Sequence, residues 1–244
     1  MNTTDVLLRS LHGDAPVREV LVGAFWTAVA LDTDPPCCGL ASTLRPATHP
    51  GSPPVPRPDR LLKRSGRELA ELLRSSSSLE ASIGMAAFNA LLEVDEAACT
   101  EVNAEEVILE RGAGRRVAIV GHFPFVERIR RAAAECWVTE LHPRPGDVPA
   151  ERAGEVLPHA DVVALTGTSL INHTFDELIA LCQPSAFVIL VGGSAPLSPV
   201  LFDCRVDAVA GTRVVDVSAA VRAVGQGATF RQIPGKRLLT MARE

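Results

Sequence analysis

Two rhythms of apolar positions divide this chain. In the first part, Arg18–Val22 and Phe25–Leu31 are short runs rich in β-branched and aromatic residues. The turn signal Asp32-Thr33-Asp34-Pro35-Pro36 separates them from a third run, Cys38–Leu44. A short helix over residues 3–12 followed by a small antiparallel meander is the expectation. The proline-rich stretch 45–60 is expected to be an extended loop, because proline suits neither helix interiors nor central strands. Ser65-Gly66-Arg67-Glu68 is a capping box, with Leu69, Leu72 and Leu73 on one face behind it. A second helix is expected over about 79–92, from Ile83, Ala86, Ala87, Ala90 and Leu91 at helical spacing. Gly84 inside it weakens the helix and points to a close packing contact.

From about residue 112 short apolar strands alternate with helical segments. Strands are expected at 117–120, 136–141, 161–166, 187–191 and 208–210. Helices are expected at 125–134, from a second capping box Thr174-Phe175-Asp176-Glu177 to about Cys182, and near 218–224. Such alternation builds a parallel sheet with right-handed crossovers, and continuous apolar strands such as Phe187–Val191 suit a sheet covered on both faces. The expected fold class is α/β: a small α+β unit over residues 1–111 packed on a parallel-sheet unit over 112–244. No internal repeat is evident.

Composition narrows the function classes. The chain has 244 residues, 47% hydrophobic and 22% charged, the balance of a globular protein. Its longest apolar run, Val20–Leu31, is interrupted by Gly23 and Thr27 and is too short for a membrane span, and the first residues have no signal-peptide pattern. A cytoplasmic protein without membrane partners is therefore expected. The net charge of -5 argues against nucleic acid as a partner. The first 110 residues carry 16 acidic against 9 basic groups and the remainder 13 against 15, which favours docking of the two parts. A homo-oligomer is compatible with all of this.

Chemistry is expected where the parallel strands end, since open α/β sheets bind ligands outside their carboxyl edges. Three strands end in small or polar loops: Gly121-His122-Phe123-Pro124, Thr166-Gly167-Thr168-Ser169 and Gly192-Gly193-Ser194. Asn172 follows the second loop, and Glu140 ends the strand after the first, 19 residues beyond Gly121, where a ribose-binding carboxylate would lie. The first loop nevertheless departs from Gly-x-Gly-x-x-Gly. Pro124 lacks an N–H and Phe123 takes the space of a pyrophosphate, so NAD is not expected; an enzyme binding a nucleotide-like or adenosyl cofactor or substrate at these loops is the alternative. Gly192-Gly193-Ser194 is not the nucleophile elbow Gly-x-Ser-x-Gly. The six histidines and six cysteines form no local zinc motif. His122 and His173, which follow strand ends, His49 in the proline-rich loop, and the Cys37-Cys38 pair are the candidate ligands of a transition or heavy metal assembled from distant loops.

Several motifs occur in order: Cys38-Gly-Leu-Ala-Ser-Thr-Leu-Arg45, Ser82–Leu92, Gly121–Pro124, Glu140-Leu-His-Pro-Arg-Pro-Gly-Asp147, Thr166–Asn172 and Ala210-Gly-Thr-Arg-Val-Val-Asp216. Along nearly its whole length the chain resembles the prokaryotic family named for heavy-metal chelation. That resemblance implies an enolase-N-terminal-like α+β domain followed by a Rossmann-like domain, with a site between them. It also implies ligand-binding roles for Gly121, His122, Phe123, Pro124, Thr166, Gly167, Thr168, Asn172, Gly192 and Ser194. Members often carry a histidine-rich proline loop, where this chain has His49 alone, and a small residue where it has His173.

Overall fold

The computed structural model describes residues 2–45 and 53–243. Helix α1 (Thr3–Arg9) is followed by β1 (Val17–Val22), β2 (Trp26–Leu31) and β3 (Cys37–Ser42), an antiparallel three-stranded sheet in the order β1-β2-β3. Helix α2 (Gly66–Ala70) opens on the expected capping box. Ser65 Oγ accepts from the Glu68 amide, and the Glu68 carboxylate accepts from the Ser65 amide at 2.8 Å. The helix tightens into a 3-10 turn, Glu71–Arg74, before α3 (Ser78–Leu91).

Helix α3 lies directly on β3 and β2. The approach is set by glycine. A Cβ on Gly39 would sit 2.1 Å from the Ala86 carbonyl oxygen, and one on Gly84 2.1 Å from the Leu73 amide nitrogen. The small side chains Ala81, Ala86, Ala87 and Ala90 continue that flat contact, and Ile83, Met85 and Phe88 fill the space around it.

The larger sheet begins earlier than residue 112. Strand β4 (Cys99–Thr100) already pairs with the last strand, and helix α4 (Ala104–Gly112) already covers one face of the large sheet. Then follow β5 (Arg116–Val120), α5 (Val126–Ala132), β6 (Glu135–Glu140), β7 (Val148–Pro149), β8 (Val162–Thr166), α6 (Thr168–Ile171) and α7 (Phe175–Leu181). The chain closes with β9 (Phe187–Val191), β10 (Ala208–Val214), α8 (Val217–Gly225) and β11 (Lys236–Ala242). The sheet order is β4-β11-β10-β9-β8-β5-β6-β7, parallel from β10 through β7, with β11 and β4 added antiparallel.

Counted from β5, the parallel strands run 3-2-1-4-5-6, the doubly wound order with its switch point between β5 and β8. Side chains alternate across it. Val117, Ile119, Ala164 and Ile189 join α4 and α5 on one face, while Ala118, Val163, Leu165 and Leu190 meet α6 and α7 on the other. The two parts also interlock. Helix α8 covers the outer face of the small sheet, with Ala220, Val221 and Val224 against Ala28, Ala30 and Leu40. The small sheet is thus pressed between α3 and α8.

Thr174 does not cap α7 as expected: its hydroxyl donates to Asn172 Oδ1 at 2.8 Å, and no side-chain cap bond forms. Among the described residues no helix is long and apolar enough to cross a membrane.

At the sheet edge opposite the strand carboxyl ends, Asp161 accepts from the Arg116 amide (3.0 Å), Nε (3.2 Å) and Nη2 (2.8 Å). The Arg116 side chain and then its amide pull the Asp161 carboxyl down to about 2. A carboxylate with a depressed folded-state pKa contributes stability above its ordinary range near 4, and that contribution is lost as pH falls toward 2. Asp161→Asn should therefore flatten the fall in melting temperature between pH 4 and pH 2. Gly39→Ala drives a methyl group into the α3 backbone, which cannot give way as a flexible side chain could. It should cost about 1–3 kcal/mol in urea unfolding, the usual range for overpacking.

Candidate functional site

The three glycine turns at the carboxyl edge of the sheet build one crevice. Gly121 and Gly192 have φ of 98° and 117°, conformations that side chains resist. Their amides extend the ladder, Gly121 N–H to the Thr139 carbonyl at 2.9 Å and Gly192 N–H to the Ala210 carbonyl at 3.0 Å. At Gly167 a Cβ would meet the Ala195 amide nitrogen at 2.5 Å, so the second and third loops touch backbone to backbone. At the switch point, the loops after β5 and β8 lead to helices on opposite faces and leave a gap between them.

All eleven residues expected to bind a ligand (Gly121, His122, Phe123, Pro124, Glu140, Thr166, Gly167, Thr168, Asn172, Gly192 and Ser194) border a single cavity of about 1000 Å³. Trp26 and Ser42 of the small sheet and Phe230 after α8 border it as well, so both parts of the chain enclose it. The Trp26 and Phe230 rings pack 4.8 Å apart over Gly193, where a Cβ would lie 2.5–2.8 Å from them.

Individual side chains divide the work. Glu140 turns its carboxylate back onto the chain: Oε1 accepts from the His122 amide and Oε2 from the Leu141 amide, each at 2.9 Å. Every carboxylate oxygen has a second lone pair, so both keep one acceptor position. The Phe123 ring reaches between the first and third turns, 3.5 Å from a Cβ position on Gly121 and 3.8 Å from one on Gly192, and stacks on Phe125 at 5.0 Å. Thr166 and Thr168 share a hydroxyl–hydroxyl bond of 3.0 Å. Ser194 Oγ accepts from the Ser42 amide at 2.8 Å and donates to Ser42 Oγ at 3.2 Å, which commits that hydroxyl to the junction with the small sheet.

The metal candidates do not come together. His122 borders the crevice, whereas His173 borders a separate cavity of about 330 Å³ with Asp176 and Arg74, its Nε2 2.9 Å from the Ser75 carbonyl. Cys37 starts β3 and borders neither cavity. Cys38 is buried between Ala28 and Leu40, and burial, then the nearby Glu19 and Cys37, push its thiol up to about 12. A thiol held protonated in this way is a poor metal ligand. His49 lies outside the described residues.

Sequence reasoning missed several residues. Five buried polar side-chain atoms have no hydrogen-bond partner among the described residues, and four of them belong to residues bordering the crevice: Glu105 Oε1, His122 Nδ1, Thr139 Oγ1 and Thr212 Oγ1. Glu105 Oε1 is compensated by Arg128 Nη1 at 2.7 Å, but the two threonine hydroxyls are not. These atoms are shielded from solvent, so they lie behind the surface that the crevice presents. Nothing in the local sequence singles out Thr139 or Thr212. Asp147, which faces His122, closes the Glu140–Asp147 motif but carries no signal of its own.

A family model described as "Putative heavy-metal chelation" matches residues 103–243, more than half of the chain, and a second model of the same description matches residues 4–92. The chain belongs to the DUF364 family. A DUF364-family protein of unknown function from Desulfitobacterium hafniense is 25% identical, with a TM-score of 0.82 over 98% of this chain and 96% of that one. Another, from Pyrococcus horikoshii, is 18% identical with a TM-score of 0.84, covers 98% of both chains and speaks to the fold alone. An uncharacterized protein of Methanocaldococcus jannaschii is 27% identical over 172 residues, 68% of this chain and 66% of that protein, just under two thirds of its length.

The DUF364 description raises a test that the residues answer. A bare ion held by protein needs three or four converging donors. No group of three or more His, Cys, Asp or Glu is arranged to hold one among the described residues. Among the described residues the donors do not fit a bare heavy-metal ion.

Proposed function

We propose that this DUF364-family protein binds a small organic molecule that carries a metal as its own cargo, in the crevice between the two parts of the chain, with His122 as the protein's donor to that metal. The observation behind this reading is the pairing of a large crevice with a sparse donor set. About 1000 Å³ is the upper end of small-molecule pockets and far more than one ion occupies. Of the described histidines only His122 borders it. An organic ligand supplies the missing donors itself and leaves one position for an imidazole. Thr166, Thr168 and Asn172 would bind its polar edges, and the Trp26, Phe123 and Phe230 rings its apolar ones. In this reading the chelation in the family's description belongs to the ligand.

A second reading, a metal-free nucleoside-like ligand, is supported by Glu140. Its carboxylate ends the strand after the first glycine turn, is fixed by two amides and keeps an acceptor position on each oxygen for a vicinal diol. Phe123 and Pro124 stand against a pyrophosphate there: the ring fills the cradle, and proline removes a donor. Under that reading the protein is an enzyme or receptor for an unphosphorylated adenosyl compound.

Titration calorimetry separates these readings. The probes are Ni²⁺ and Co²⁺ alone, haem, the nickel–histidine and iron–citrate complexes, and adenosine. The first reading predicts one-to-one binding of at least one complex, weakened tenfold or more in His122→Ala (about 1.4 kcal/mol or more), with free ions bound no better than by a control protein. Free ions bound more tightly than every complex, and equally by His122→Ala, would contradict it. Adenosine binding lost in Glu140→Ala would establish the second reading instead.

A further inference from the structure

We infer that Asp147 is the positioning residue for His122, setting which ring nitrogen carries the proton and which is left bare. The inference rests on His122 as the group presented to the ligand, but its test needs no ligand.

The two nitrogens of His122 have different surroundings. Nδ1 is buried and has no hydrogen-bond partner. The Asp147 carboxylate faces it, with Oδ2 3.6 Å away. That is too long for a hydrogen bond and short enough for a small ring rotation to close. Nε2 is not among the buried unpartnered atoms, so it belongs to the exposed part of a side chain that is 22% accessible and borders both the crevice and a smaller cavity of about 320 Å³ with Glu127 and Arg144.

Asp147 is an unusual group to find beside it. Its side chain is 2% exposed, and a buried carboxylate is costly unless its oxygens are occupied. Oδ1 accepts from Arg130 Nη2 at 3.2 Å, and Oδ2 accepts from the Arg144 amide at 3.0 Å. The loop is pinned by its own turn, Asp147 N–H to the Arg144 carbonyl at 2.9 Å, with Gly146 at φ 92° making the reversal. The carboxylate is therefore held in place before any ligand arrives, and it has a lone pair of Oδ2 left on the His122 side.

A carboxylate facing Nδ1 favours the tautomer that carries its proton there. The lone pair of Nε2 is then free on the exposed side of the ring. A carboxylate behind a ligating imidazole fixes its tautomer and strengthens it as a donor. The same arrangement serves whether the crevice ligand presents a metal or a hydrogen-bond donor. A carboxylate that only stapled the 144–147 loop would leave the tautomer untouched.

The test is the ring ¹⁵N spectrum of histidine-labelled protein, followed through a pH series to the neutral ring, with His122 assigned by its disappearance in His122→Gln. The wild-type protein should show His122 protonated at Nδ1 and bare at Nε2. Asp147→Ala should shift it toward the Nε2–H form that neutral histidine side chains prefer in water. A wild-type His122 already in the Nε2–H form would overturn the inference, as would a folded Asp147→Ala protein in which Nδ1 stays protonated. Should Asp147→Ala fail to fold, the wild-type spectrum decides alone. Failure of every crevice probe in calorimetry would refute the ligand reading and leave the tautomer result standing.

Discussion

The contact between the Gly192-Gly193-Ser194 turn and the small sheet is the constraint from which the crevice follows. A glycine at 193 lets the Trp26 and Phe230 rings descend onto the turn, because any Cβ would strike them. Ser194 Oγ then takes the Ser42 amide at the end of β3. The Asn89 side-chain amide from α3 donates to the Leu40 carbonyl at 2.9 Å and reaches the Ser194 carbonyl at 3.5 Å. These links set the small sheet over the carboxyl edge of the large one. With α8 on its outer face and α3 inside, the small sheet has no freedom to swing away. A doubly wound sheet has an open edge at its switch point by topology, and here that edge acquires a roof.

The roofed crevice is lined by the Trp26, Phe123 and Phe230 rings and by the Thr166, Thr168 and Asn172 side chains. Among the described residues the same cavity lacks the converging thiolates, imidazoles and carboxylates that a bare ion demands. That pairing of a wide mixed wall with a sparse donor set is what supports the proposed organic ligand over a naked cation.

Much of the fold was legible because its signals are local. Phe187–Val191 reads as a buried strand from five apolar residues, and Ser65 and Glu68 announce a helix start that forms as written. Gly84 announced a close contact, and the Leu73 amide supplies it. Other elements have weaker local signatures. Helix α4 buries only Ala104, Ile108 and Gly112, so its apolar stripe is too thin to stand out from its charges. Strand β10 runs to Val214, through a Gly211-Thr212-Arg213 stretch that looks like a turn and is held extended by pairing with β11. Thr174 lost its capping role to a neighbour, Asn172, two residues away.

The candidate site divides the same way. Glycine turns at strand ends are legible because positive φ needs glycine, and they converge because parallel strands end on one edge. Convergence of side chains from unrelated loops is not legible. His173 and Cys38 point into other surroundings, while Asp147 comes to His122 only because a loop reverses at Gly146.

The central claim is that the crevice receives an organic ligand whose metal meets His122. Anomalous diffraction from crystals of this protein soaked with the nickel–histidine complex, recorded at the nickel edge, tests it most directly. The account predicts one nickel peak within coordination distance of His122 Nε2, embedded in density for the organic ligand between Phe123 and Trp26. A nickel peak held by protein side chains alone, or a crevice empty of nickel while nickel occupies another site, would contradict it.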